Sequence, residues 1–254
     1  MTDSLPAQGD SPVLEFGAGI ARYLGHALGL ADQSEWPDTA QGNAVRLLTA
    51  DIAEHFKVCA AAGDAHMWSA ASGLERLIFE RLELLMGCIA SEKYSRSYLD
   101  SVLKPLNERG TGPRKRARAE DAPLETFFKQ FEIDAEQADE WRQGHLFLKD
   151  LKSELFVHPT AVGPMLTRGT SDGSIDEAPL YAELIMYGAT ASSFVVMAGH
   201  KLKCAVPVEL IRGLDGAWQA TKALDAFDFP QTREIYETIA RRATPAETLA
   251  ESKD

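Results

Sequence analysis

The chain has 254 residues, of which 45% are hydrophobic and 25% charged, with a formal net charge of -12 at pH 7. That is enough apolar material for one large core. The acidity speaks against a general binder of nucleic acid or anionic membrane, since such proteins present an excess of Lys and Arg. Cys59, Cys88 and Cys204 are odd in number and lack metal-ligand spacing. They read as buried thiols of a reduced, cytoplasmic chain.

Residues 1–10 are polar and carry no signal-peptide pattern, and they are expected to be disordered. Ser11-Pro12 reads as a helix start, with Ser as cap and Pro in the first turn. Val13, Leu14, Phe16, Ile20, Tyr23, Leu24 and Leu28 then recur at helical spacing. Asp38 is the expected cap of a second helix that carries Ala44, Leu47, Leu48, Ile52 and Phe56 and ends near Gly63. Asp64 is the expected cap of the longest strongly patterned stretch, Met67 to Ile89. Its apolar positions, among them Met67, Ala70, Ala71, Leu74, Leu77, Ile78, Leu82, Leu85 and Ile89, form a stripe wider than a coiled-coil seam. This predicts a central helix. Ser91 opens a further helix with Tyr94, Tyr98 and Val102 on its buried side.

The segment 109–123, rich in Gly, Pro and charge, reads as a flexible loop, and it holds the basic cluster Arg114, Lys115, Arg116 and Arg118. Leu124 to Ile133 predicts a short helix with Phe127, Phe128 and Phe131. Asp134 caps the next, which runs through Trp141 and Leu148 and ends before His158-Pro159. Residues 160–179 read as a second flexible loop. Helices over Leu180 to Lys203, Val208 to Leu224 and Phe229 to Arg242 follow, and 244–254 reads as a disordered tail. The apolar run from Leu180 to Gly199 is broken by Glu183, Gly188, Ser192 and Ser193, which fits a buried helix better than a membrane span. The expectation is a single all-α domain over 11–243, an irregular multi-helix bundle around a long central helix.

Few motifs carry chemistry. No histidine has an acidic residue three positions before it, no HExxH or close Cys/His pair is present, and the phosphate-cradling glycine motifs are absent. No metal, cofactor or membrane contact is expected. Two features remain. Arg76 and Glu80 are four apart and share a face of the central helix, as either a catalytic pair or a neutralised structural one. His158 follows a helix end, within the segment Lys152 to Pro159. There it serves either to end the helix by a hydrogen bond or as a site residue. Trp141, His145 and Lys149 form one stripe ahead of it, with His145 expected at the surface.

The central helix with its LERLIFERLEL core, the YSRSYLDSVLK helix and the SELFVHPT ending together resemble a family of bacterial all-helical domains of unknown function. The family pattern is Arg-x-x-x-Glu in the central helix followed by Ser-x-x-x-apolar-His-Pro-Ser/Thr. It falls here on Arg76, Glu80, Ser153, His158, Pro159 and Thr160. A more distant resemblance is to the HEPN helical bundles of toxin and phage-defence systems. That resemblance implies a metal-independent ribonuclease or nucleotide-binding partner working across a homodimer. His158 would then be general acid or base, and Lys152 with the 114–118 cluster would hold phosphate. The position expected to hold Arg holds Lys152 or Ser153, which lack the bidentate guanidinium grip.

Three readings follow. The leading one is a non-enzymatic bundle acting through an interaction surface as a homodimer. The second is the HEPN-like ribonuclease or a nucleotide- or RNA-binding protein. The third is a small-molecule sensor with a pocket beside the central helix, lined by Trp68, Tyr94, Tyr98 and Trp141. Convergence of Arg76, Glu80 and His158 would mark a site.

Overall fold

The computed structural model of the chain describes residues 12–103, 122–152 and 177–224. It is all-α. The described helices are α1 (Pro12–Ala31), α2 (Ala40–Asp64), α3 (Trp68–Ala90), α4 (Glu92–Leu103), α5 (Leu124–Gln130), α6 (Ala135–Lys152), α7 (Ala178–Leu202) and α8 (Val208–Leu224). As expected, α3 is the hub: it packs against α2, α4, α5, α6 and α7. A second layer closes where α1 packs against α2, α7 and α8. The helix expected over 229–242 lies outside the described residues.

Local signals set several boundaries. Ser91 Oγ accepts a hydrogen bond from the Tyr94 N–H at 3.2 Å, and Asp134 Oδ1 accepts one from the Gln137 N–H at 2.9 Å, so both caps act as the sequence predicts. Two other caps differ. The cap of α2 is Thr39, whose hydroxyl accepts from the Gly42 N–H at 3.1 Å, while Asp38 accepts from the Asn43 side chain instead. Asp64 does not start α3. It is the last residue of α2, and α3 begins at Trp68 without a side-chain cap.

The turn between α2 and α3 explains this. The Met67 N–H bonds the Ala62 carbonyl at 2.7 Å and the His66 N–H bonds the Gly63 carbonyl at 2.8 Å. This is the double-bonded helix ending that needs a left-handed residue, and His66 supplies it at φ 55°. Glu132 after α5 and Lys203 after α7 adopt the same backbone at φ 53° and 54°. None of these three is glycine, so the sequence carries no obvious stop signal at these ends.

Tight packing depends on missing side chains. A Cβ on Gly188 of α7 would lie 2.5 Å from Phe56 Cζ and 3.0 Å from a Leu24 methyl, so this glycine lets α7 close onto α1 and α2. Phe56 and Leu24 are fully buried there. By length and composition α7 could cross a membrane, but 83% of its most apolar stretch is buried inside the bundle, which marks a core helix. Glu183, Thr190, Ser192 and Ser193 within that helix are buried too. The Thr190 hydroxyl donates to the Met186 carbonyl at 2.8 Å, whereas those of Ser192 and Ser193 have no hydrogen-bond partner among the described residues.

Two substitutions test this packing by urea unfolding. Gly188→Ala overpacks the α1–α2–α7 contact and should cost about 1–3 kcal/mol. Ser192→Ala removes an unsatisfied buried hydroxyl and should raise stability by about 1 kcal/mol.

Candidate functional site

The buried face of α3 is not purely apolar. Glu75 and Glu83 are 1% and 3% exposed, one turn either side of the buried Phe79. Spacing of four on a helix places all three on one stripe. Glu83 Oε1 lies 3.0 Å from Nε2 of His145 on α6. The contact is within ion-pair distance when the imidazole is protonated. The His145 ring stacks on Trp141 with centroids 4.5 Å apart and meets the edge of Phe79 at 4.8 Å. Phe79 also meets Tyr187 of α7 at 4.6 Å, and the Tyr187 hydroxyl donates to Glu183 Oε1 at 2.6 Å. Phe79 thus stands between two carboxylate-ring pairs, one fixing α6 and one within α7. His145, expected at the surface, is 7% exposed. Trp141 covers it from its own helix, and α3 supplies the facing carboxylate.

Arg76 and Glu80 take a different direction. They form the expected pair at 2.5 Å on the outward side of α3, and both are partly exposed. Glu80 also lies 3.6 Å from Arg81, which donates from Nε to Asp51 of α2 at 2.8 Å. Asp51 Oδ1 lies 3.2 Å from His55. The result is a chain of alternating charge that fastens α3 to α2. Tyr98 lies behind it, its phenol pushed up to about 12 chiefly by burial, with Cys88 and Asp51 adding to the rise and the Arg81 cation opposing it. Cys88 is likewise held up to about 12 by burial, with a Ser95 hydrogen bond opposing. Cys59 and Cys88 are the buried thiols the sequence suggests, and Cys204 is half-buried.

His158, Arg114, Lys115, Arg116 and Arg118 lie outside the described residues, as does the side chain of Lys152. The four aromatics proposed to line one pocket do not gather. Trp68 opens α3, whereas Tyr94 lies against the Gly87 position in its last turn, roughly 28 Å along the helix at 1.5 Å per residue. Among the described residues no group of three or more His, Cys, Asp or Glu is placed to hold a metal ion.

The accessible polar assembly lies at the α2–α3 turn, where α7 begins. His66 Nδ1 is 2.6 Å from Glu177 Oε1, and the Trp68 indole N–H donates to the same oxygen at 3.0 Å. The His66 side chain is 59% exposed and that of Glu177 only 13%. Trp68 is buried and its ring meets Tyr181 edge-on at 4.7 Å. The Tyr181 hydroxyl reaches Asp64 at 3.5 Å, and Arg22 Nη1 donates to both Asp64 oxygens at 2.8 Å. Burial, then the charges of Asp64 and Glu177, hold the Tyr181 phenol well above its ordinary range, so it stays a neutral donor. An exposed imidazole oriented by a shielded carboxylate is the arrangement that acid–base chemistry uses.

Sequence reasoning missed this assembly because His66 and Glu177 are 111 positions apart. The Glu75–Phe79–Glu83 spacing did carry a signal: two acids flank an aromatic at one-turn intervals on the core stripe. No protein-family model, curated protein or solved structure matches this chain.

Glu83→Ala removes the carboxylate that faces the buried imidazole and leaves a cavity in its place, and should cost about 3 kcal/mol in urea unfolding. Arg76→Ala breaks a part-exposed pair and should cost about 1 kcal/mol or less. Equal losses would contradict the ranking by burial.

Proposed function

We propose that the protein is an all-α bundle that acts through an interaction surface on the outer face of its α2–α3 hairpin, and that the partner is a second copy of the chain. The observation that carries this reading is a second stripe that starts at Met67, just ahead of α3, and runs on along the helix. Met67, Ala70, Leu74 and Leu77 are spaced three, four and three apart, which is the spacing of a coiled-coil seam. Met67 is 58% exposed, Ala70 is exposed, and Leu74 and Leu77 are half-buried. On α2, Val58 is 53% exposed and Ala61 and Ala65 are exposed near the same turn.

The rim supports self-association. Arg76, Glu80 and Arg81 alternate in sign beside the stripe, so two copies can face each other without net repulsion despite the overall charge of -12. A two-fold pairing uses the same patch on both partners, which suits a surface of mixed sign. In this reading the buried Glu83 of α3 serves to fix α6, and the apolar seam outside serves recognition. The cytoplasmic location suggested by the cysteines is part of the same proposal.

Sedimentation of the wild type and of the Ala70→Glu/Leu77→Glu double variant tests it. The wild type should sediment as a dimer at micromolar concentration, and the variant as a monomer with unchanged helical circular dichroism. A monomeric wild type would sink the proposal.

A further inference from the structure

We infer that the apolar face of α1 formed by Val13 and Phe16 is a docking site for this chain's own segment 227–239, which follows on from the end of α8. This goes beyond the dimer reading and stands independently of it.

The face is the open end of a longer stripe. Val13, Phe16, Ile20 and Tyr23 are spaced three, four and three apart, so they share one side of α1. The second half of the stripe is covered by α8. A Cβ on Gly216 would lie 2.9 Å from Ile20 Cδ1, and one on Gly213 would lie 3.5 Å from Tyr23 Cε1. Glycine at both places lets α8 seat directly on those side chains. The first half is left open among the described residues: Val13 is 37% exposed and Phe16 43% exposed. Phe16 is also the one aromatic among their exposed large hydrophobic side chains. A lone apolar residue at a surface needs no explanation, but the bare end of a stripe whose other end is packed is a different case.

The direction of the chain names the occupant. Gly213, Gly216 and Leu224 meet Tyr23, Ile20 and Gly17 in turn, so α8 runs antiparallel to α1. The last of these contacts places a Leu224 methyl 3.3 Å from where a Gly17 Cβ would lie. Leu224 is buried and ends α8, so the chain leaves that helix beside Phe16. Val13 lies about 6 Å further along α1 in the same direction, at 1.5 Å per residue. The stretch from Leu224 to Phe229 reaches up to roughly 17 Å when extended, which spans this distance with slack.

The segment that follows has the pattern such a face requires. Phe227 and Phe229 come first, and Pro230 stands where a helix start favours it. On the helix expected over 229–242, Ile235, Tyr236 and Ile239 fall on one side and Arg233, Glu234, Glu237 and Arg241 on the other. A helix patterned in this way has one face to bury and gains by burying it on apolar surface within reach. The opposite end of the chain is a poorer occupant: residues 1–11 hold only Met1 and Leu5 as large apolar side chains, against five in 227–239.

The test is thiol accessibility in the full chain. In a Cys204→Ser background, Val13→Cys places a reactive thiol on the face, while Cys59 and Cys88 are buried. Its labelling by a water-soluble maleimide should speed up about 10-fold when Ile235→Glu and Ile239→Glu are added to the same chain, because the local cover is lost. A urea double-mutant cycle guards against a variant that merely unfolds. Phe16→Ala and Ile235→Ala/Ile239→Ala should each lower the midpoint, and together they should lower it by less than the sum, since both remove one shared contact. Equal labelling rates with and without the glutamates, or additive midpoint losses, would overturn the inference. A labelling rate that falls as protein concentration rises would overturn it too, because a second copy would then be the cover. Adding Ala70→Glu/Leu77→Glu should leave the labelling rate unchanged, which separates this result from the dimer reading.

Discussion

The Glu83 carboxylate on the buried side of α3 constrains how α6 packs against it. A carboxylate taken out of water is costly unless a counter-charge or donors meet it. Glu83 is met by His145, which brings α6 onto α3 and places Trp141 over the imidazole. Glu183 of α7 is met by Tyr187, whose ring rests against Phe79. The same aromatic ring therefore separates two polar pairs and sets the spacing of three helices. Hydrophobic burial alone would let α6 slide along α3. A buried carboxylate facing an imidazole has one favourable register, so the Glu83–His145 contact fixes where α6 stops.

The outward charges do a different task. The chain from Arg76 through Glu80, Arg81 and Asp51 to His55 fastens α2 to α3 at the edge of solvent. Each link there is weak because water screens it. Its members are nearly neutral as a group, and this leaves the neighbouring seam of Met67, Ala70, Leu74 and Leu77 without strong repulsion. The chain as a whole carries a net charge of -12, and this local balance is what the proposed self-association draws on. Polar residues in α3 thus divide by direction: inward ones define the fold, outward ones frame a surface.

The α2–α3 turn joins these two roles. Its tightness comes from the left-handed His66 and from Gly63, over which the Trp68 ring lies. Because the turn is short, residues at the end of α2 and the start of α3 meet the beginning of α7 within hydrogen-bond reach. Arg22, Asp64, His66, Trp68, Glu177 and Tyr181 come from three separate parts of the chain and form one polar cluster at that end of the bundle. Loops and turns carried by a rigid scaffold are where chemistry usually resides, since the scaffold fixes position while the turn keeps access to water.

The sequence by itself determined the helical class, the central place of α3, most helix spans and two of the caps. Those features are local: periodic apolar residues and short-range capping act within a turn or two, and the pattern survives in one dimension. Tertiary structure decided which charges of α3 are buried. Arg76 and Glu80 stood out because they form an opposite-charge pair at one-turn spacing, yet they face outward. Glu75 and Glu83 are the buried ones, since their stripe is the side that α6 and α7 cover. It also decided that Asp64 ends a helix instead of starting one, because the turn was coded by histidine at a position where glycine would have been legible. His66 and Glu177 could meet only through the folding of α7 onto the hairpin. No local rule links residues 111 apart, and only the packing of the intervening helices brings a carboxylate to that imidazole.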